Sequence, residues 1–111
     1  MKTKISIVLI IVSLLSACAK PLPDNRLDYV GLWRSKEMSL LILADGSVGY
    51  ERLKGGVKTS VNGPLKEFVG DDFVVGVWRF TTTFKVTEPP HEVDGIWQMV
   101  VDDVRLVRIA E

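Results

Sequence analysis

From Tyr29 onward, apolar and polar residues alternate along much of the chain. The longest such stretch begins at Trp78, with Trp78, Phe80, Thr82, Phe84 and Val86 on one face. Arg79, Thr81, Thr83, Lys85 and Thr87 fall on the other. Strand side chains point alternately to the two faces of a sheet, so this period of two predicts one long, half-buried strand. Shorter apolar runs predict strands over residues 29–34, 39–44, 48–53, 57–61, 65–69, 73–77, 96–101 and 104–109. Asp45-Gly46, Gly55-Gly56, Asn62-Gly63-Pro64, Gly70-Asp71-Asp72 and Asp102-Asp103 separate them and read as turns. Pro89-Pro90 is expected to end the long strand, because neither residue can donate to a ladder. A helical period is weakly visible only over residues 34–41. The pattern predicts an all-β domain, a single antiparallel meander of eight or nine short strands forming a barrel or strongly twisted sheet.

The first 28 residues follow different rules. Met1 to Lys4 is short and basic, and Ile5 to Leu15 is an apolar run interrupted only by Ser6 and Ser13. That run is well short of the ~20 residues a spanning helix needs, and it fits the signal-peptide pattern. It ends at Leu15-Ser16-Ala17-Cys18, which carries the only cysteine of the chain. These residues resemble the lipobox of bacterial lipoproteins, with Leu15, Ser16 and Ala17 before the acceptor Cys18. The resemblance implies cleavage between Ala17 and Cys18, diacylglyceryl attachment to the Cys18 thiol, and acylation of the new amino terminus. With Ala19 rather than aspartate after Cys18, it also implies the outer membrane, facing the periplasm or the surface, if the cell is Gram-negative. Ala17-Cys18-Ala19 also satisfies an A-x-A rule, so ordinary secretion with cleavage after Ala19 is the competing reading.

The expected organisation is therefore a signal peptide (1–17), a lipidated cysteine and flexible two-proline tether (18–28), and a β domain (29–111). Pro21 and Pro23 favour extended backbone, and ten residues reach at most ~35 Å. Several acyl chains would make the attachment durable, since a single chain binds only reversibly. Once Cys18 carries lipid, no thiol is left for a disulfide, and the domain must stand on its core.

Composition changes this picture little. The chain has 111 residues, 14 basic and 14 acidic. Loss of Lys2 and Lys4 with the leader leaves the mature protein near −2, with no strongly basic tail or face, which argues against nucleic acid.

Candidate chemistry is sparse. His91 is the only histidine, so a histidine metal site lacks ligands, and its Glu88-Pro89-Pro90-His91-Glu92 setting reads as an exposed loop. Gly46-Ser47-Val48-Gly49 has the wrong spacing for a nucleophile elbow. Asp71-Asp72, Asp102-Asp103 and Asp94 read as turn residues rather than acid pairs. The expectation is no enzyme, no metal and no cofactor. Two surfaces stand out. Arg79, Thr81, Thr83 and Lys85 form a polar strand face that could receive a protein or cell-wall partner. Trp33, Trp78 and Trp97 could fill the core or line a pocket. Gly31-Leu32-Trp33 resembles the G-x-W signature of lipocalin-like barrels, in which the tryptophan closes one end of a barrel that can hold an apolar ligand. The functional expectation is a lipid-anchored, non-catalytic envelope module, with a small lipocalin-like carrier as the alternative. A domain of this size is expected to fill its interior with its own side chains.

Overall fold

The structure, a computed structural model, describes residues 19–109. The expected lipobox, Leu15-Ser16-Ala17-Cys18, lies outside the described residues. A 3₁₀ helix (Asp24–Tyr29) leads into nine strands: β1 (Gly31–Arg34), β2 (Met38–Ile42), β3 (Ser47–Lys54), β4 (Val57–Val69), β5 (Asp72–Val77), β6 (Phe80–Phe84), β7 (Val86–Val93), β8 (Ile96–Val101) and β9 (Val104–Arg108). They form one antiparallel sheet in the order β6-β5-β4-β3-β2-β1-β9-β8-β7. The domain is an all-β meander, as the alternation predicts.

Connectivity forces this sheet to curl. β6 and β7 stand at its opposite edges, yet only Lys85 separates them in sequence. A flat sheet of nine strands spaced about 4.8 Å apart could not bring those edges within one residue. The rings of Tyr50 on β3 and Phe84 on β6 meet at 4.8 Å across the concave side, though two strands lie between them. At the seam, the Val86 N–H donates to Asp72 Oδ1 at 2.7 Å, and the Lys85 N–H donates to Asp102 Oδ1 at 3.0 Å. The Asp102 N–H returns a bond to the Lys85 carbonyl at 2.8 Å.

Period-two burial fills the curl. Leu40 faces Tyr50, Ile42 faces Val48, Phe73 faces Phe84, and Met99 faces Leu106, with all eight side chains buried. Trp33 is fully buried, and its Nε1 donates to the Tyr29 carbonyl at 2.9 Å. Its neighbour Arg108 holds its guanidinium carbon 5.6 Å from the Trp33 ring centre and 4.7 Å from that of Trp97. Gly31 makes this stack possible. Its φ is +146°, and a Cβ there would sit 2.5 Å from Arg108 Cδ. In the G-x-W triplet the glycine thus clears a path for an arginine stem, and the tryptophan closes the core beneath it.

Four expectations are corrected. The strand expected from Trp78 onward is two strands broken at Lys85, because the chain must leave one sheet edge and join the other. Phe84 and Val86 are buried as the alternation implies, but Trp78 and Phe80 are exposed. Asn62-Gly63-Pro64 is not a turn. It lies inside β4, where the strand stops pairing with β3 and starts pairing with β5, so the missing proline N–H falls at the handover. Glu88-Pro89-Pro90-His91 is part of β7 rather than a loop, and the prolines sit on the outer edge strand within the register shift between Glu88 and His91. Finally, the chain before Tyr29 is seated rather than held as an extended spacer. Leu22 is buried in the core, its N–H donates to the Ala44 carbonyl at 3.0 Å, and the 3₁₀ helix follows at once.

The seam yields a stability prediction. Asp72→Ala leaves the buried Val86 N–H without its charged acceptor and should lower unfolding free energy by about 1.5–3 kcal/mol. Asp24→Ala, at the exposed start of the 3₁₀ helix, should change little. Equal urea midpoints for wild type and Asp72→Ala would remove the seam from the account of stability.

Candidate functional site

The segment that leads into the domain is clamped against the β4–β5 turn. Arg26 donates from Nη2 to the Gly70 carbonyl at 2.7 Å and pairs with Asp71 at 3.4 Å. Its guanidinium carbon lies 4.8 Å from the centre of the Phe68 ring. The Tyr29 hydroxyl donates to the Asp71 carbonyl at 2.9 Å. Burial raises the Tyr29 pKa above its ordinary 10.0; the nearby Asp71 adds to this and Arg26 opposes it. Burial also raises Tyr50, with Arg52 opposing. Further upstream, the Lys20 carbonyl lies where a Cβ on Gly46 would fall, so the β2–β3 turn needs glycine to let the chain pass.

Beside Lys20 stands the most exposed apolar feature of the described residues, the β5–β6 turn. Val77 pairs with Phe80, leaving Trp78-Arg79 as a two-residue hairpin turn. Trp78 has φ +56°, a conformation that costs an L-residue about 1–2 kcal/mol and that glycine adopts freely. Trp78 is 72% exposed and Phe80 68%, with ring centres 6.2 Å apart. Arg79 lays its guanidinium over both, at 4.6 Å and 5.7 Å. Lys66, the bulged residue of β4, donates from Nζ to the Trp78 carbonyl at 2.9 Å. Lys20, Pro64, Leu65, Lys66, Gly76, Val77 and Trp78 together line a shallow groove of about 240 Å³ with no acidic side chain in its wall.

The polar strand face is divided by the fold. Arg79 belongs to the turn, Thr81 and Thr83 lie exposed on β6, and Lys85 occupies the seam, with its ammonium 3.9 Å from Asp72. The edge of β6 that faces away from β5 has no ladder partner among the described residues. The three tryptophans do not line one pocket. Trp33 is in the core, Trp97 is half-buried and packs against the core's edge with Arg108 over its ring, and Trp78 projects from the β5–β6 turn. The interior is occupied by Trp33, Phe73, Phe84, Met99 and Leu106, all fully buried or nearly so. His91 lies on β7, with Nδ1 2.9 Å from the Pro89 carbonyl and Nε2 3.7 Å from Glu88. Asp72 and Asp102 serve the seam, and Asp71 serves Arg26.

Sequence reasoning did not single out Lys20, Lys66 or Phe80. The turn at Trp78-Arg79 contains no glycine, asparagine, aspartate or proline, so no local signal marked it.

A scan of protein-family models finds no match to the chain. Searches of curated proteins and of solved structures find none either.

The buried phenols set an alkaline limit. The fold prefers neutral Tyr29 and Tyr50, so above pH 10 the unfolded chain releases its protons first. Stability is full below that pH and falls as pH rises through it. Urea unfolding between about pH 9 and 11 should show the decline, and Tyr29→Phe with Tyr50→Phe should flatten it. A decline of the same slope in the double variant would assign it elsewhere.

Proposed function

We propose that the protein is a lipid-anchored module of the bacterial cell envelope, held by Cys18 at the outer side of a membrane, whose β domain binds a partner without catalysis. The partner is a protein or a cell-wall component, and the receiving surface is the open edge of β6 with Thr81 and Thr83. The observation that carries the anchor is Leu15-Ser16-Ala17-Cys18 followed so closely by a seated chain. Lys20, two residues after Cys18, already packs over Gly46. Such an arrangement suits a domain working close to its membrane rather than on a long leash.

The contrast between the two sheet edges supports the partner surface. β7 carries Pro89 and Pro90, which blunt an edge against strand addition. β6 reads Phe80-Thr81-Thr82-Thr83-Phe84, with neither proline nor charge. An unguarded edge offers backbone donors and acceptors to an added strand, and Thr81 and Thr83 give it a polar outer face. The carrier reading receives no comparable support, because the concave side is packed with the domain's own side chains.

One experiment addresses both halves. Cells producing the full chain with a photoreactive residue in place of Thr83 should incorporate labelled fatty acid and give a discrete crosslinked species from intact envelopes. Adding Cys18→Ser should abolish the label and leave unprocessed precursor or a soluble form. Equal labelling of both forms would sink the anchor, and irradiation that gives no discrete species in the anchored form would sink the partner surface.

A further inference from the structure

We infer that the β5–β6 tip is itself a membrane contact: Trp78 and Phe80 seat in the interfacial layer of the bilayer that holds Cys18, with Lys20, Lys66 and Arg79 against anionic lipid headgroups. The inference rests on the proposed anchor and adds an orientation to it.

Three observations converge on this occupant. The first is position. The described chain begins at Ala19, and Lys20 lines the same groove as Val77 and Trp78. Two residues reach about 7 Å at full extension, so a lipid on Cys18 would bring the bilayer surface to this side of the domain. The second is chemistry. Two aromatic rings and Val77 project into solvent, ringed by three cations, and no carboxylate lines the groove. Tryptophan and basic side chains with long apolar stems are the residues that favour the headgroup layer, the ring below and the charge at phosphate level. Anionic headgroups complement that charge, although the mature chain as a whole is slightly acidic.

The third is backbone conformation. The first position of this turn has positive φ, which glycine would satisfy without strain, yet a tryptophan occupies it. The ring gains no burial in return, since it stands outside the core. Lys66 secures the strained peptide through the Trp78 carbonyl, and the bulge in β4 is what aims Lys66 there. The fold thus holds an aromatic side chain outward at a place where turn formation alone favours none. A protein partner on the tip would have to share the narrow space beside the lipid attachment. The bilayer is already there.

The test uses the full chain, extracted from membranes in wild-type and Trp78→Phe forms and returned to vesicles of phosphatidylethanolamine and phosphatidylglycerol. Subtracting the emission of Trp78→Phe isolates the Trp78 signal from Trp33 and Trp97. With phospholipid brominated near the top of its acyl chains, the Trp78 signal should lose most of its intensity, and iodide in the buffer should quench it far less than in detergent. A Trp78 signal open to iodide and untouched by bromolipid overturns the inference. A signal shielded from both means that protein, such as a second copy of this chain, covers the tip, and overturns it equally. Flotation with the vesicles, which should survive Trp78→Glu with Phe80→Glu, reports the Cys18 anchor separately. A wild type that floats while Trp78 stays open to iodide leaves the anchor standing and removes the tip contact alone.

Discussion

The single residue between β6 and β7 governs this domain. Lys85 joins the two ends of a nine-stranded sheet, and a sheet whose ends are one residue apart has to curl. Much of the core follows from that closure. The curl brings Tyr50 onto Phe84 and lets Phe73 stack on Phe84 at 5.1 Å, so strands far apart in the ladder share one core. It also brings Asp72 and Asp102 to the junction, where their carboxylates accept the backbone N–H groups of Val86 and Lys85. Charged acceptors make stronger hydrogen bonds than neutral ones, which suits a joint with no ladder of its own.

Closure sorts the surface into guarded and open parts. β1 lies between β2 and β9, where Gly31, Trp33 and Arg108 make a packed stack. β7 ends the sheet on a proline-bearing edge. On the other side, β4 hands its pairing from β3 to β5, and β5 and β6 form a flap that runs past the core at Val77 to Phe80. The incoming chain crosses this same side over Gly46. The proposed lipid, the aromatic tip and the free β6 edge therefore share one flank, and a domain with its tip in the headgroups would present that edge close to the membrane.

Much of this was legible in the sequence, unevenly. The turns at Asp45-Gly46, Gly55-Gly56 and Asp102-Asp103 announced themselves through residues that accept positive φ, and the paired apolar runs around them became β2–β3, β3–β4 and β8–β9. Alternation identified Phe84 and Val86 as core. It misplaced Trp78 and Phe80, because period two says which residues share a face and not whether that face continues over the core. Asn62-Gly63-Pro64 resembled a turn because residue type cannot distinguish a bend from a change of pairing partner within one strand. Leu22 and Arg26 were unreadable as packed residues, since their partners Ala44, Gly70 and Asp71 are distant in sequence. Nor could the link at Lys85 be foreseen, because it depends on a sheet order that becomes visible only when β1 is seen to pair with β9.

Amide hydrogen exchange of Lys85 and Val86 tests the closure most directly. In a curled sheet sealed by Asp72 and Asp102, these two amides should be protected to a degree close to that of β1 and β9 amides in the packed stack. Exchange as fast as that of Gly55 and Gly56, at the exposed β3–β4 turn, would mean that the two ends of the sheet are not held together at Lys85 and would contradict the account.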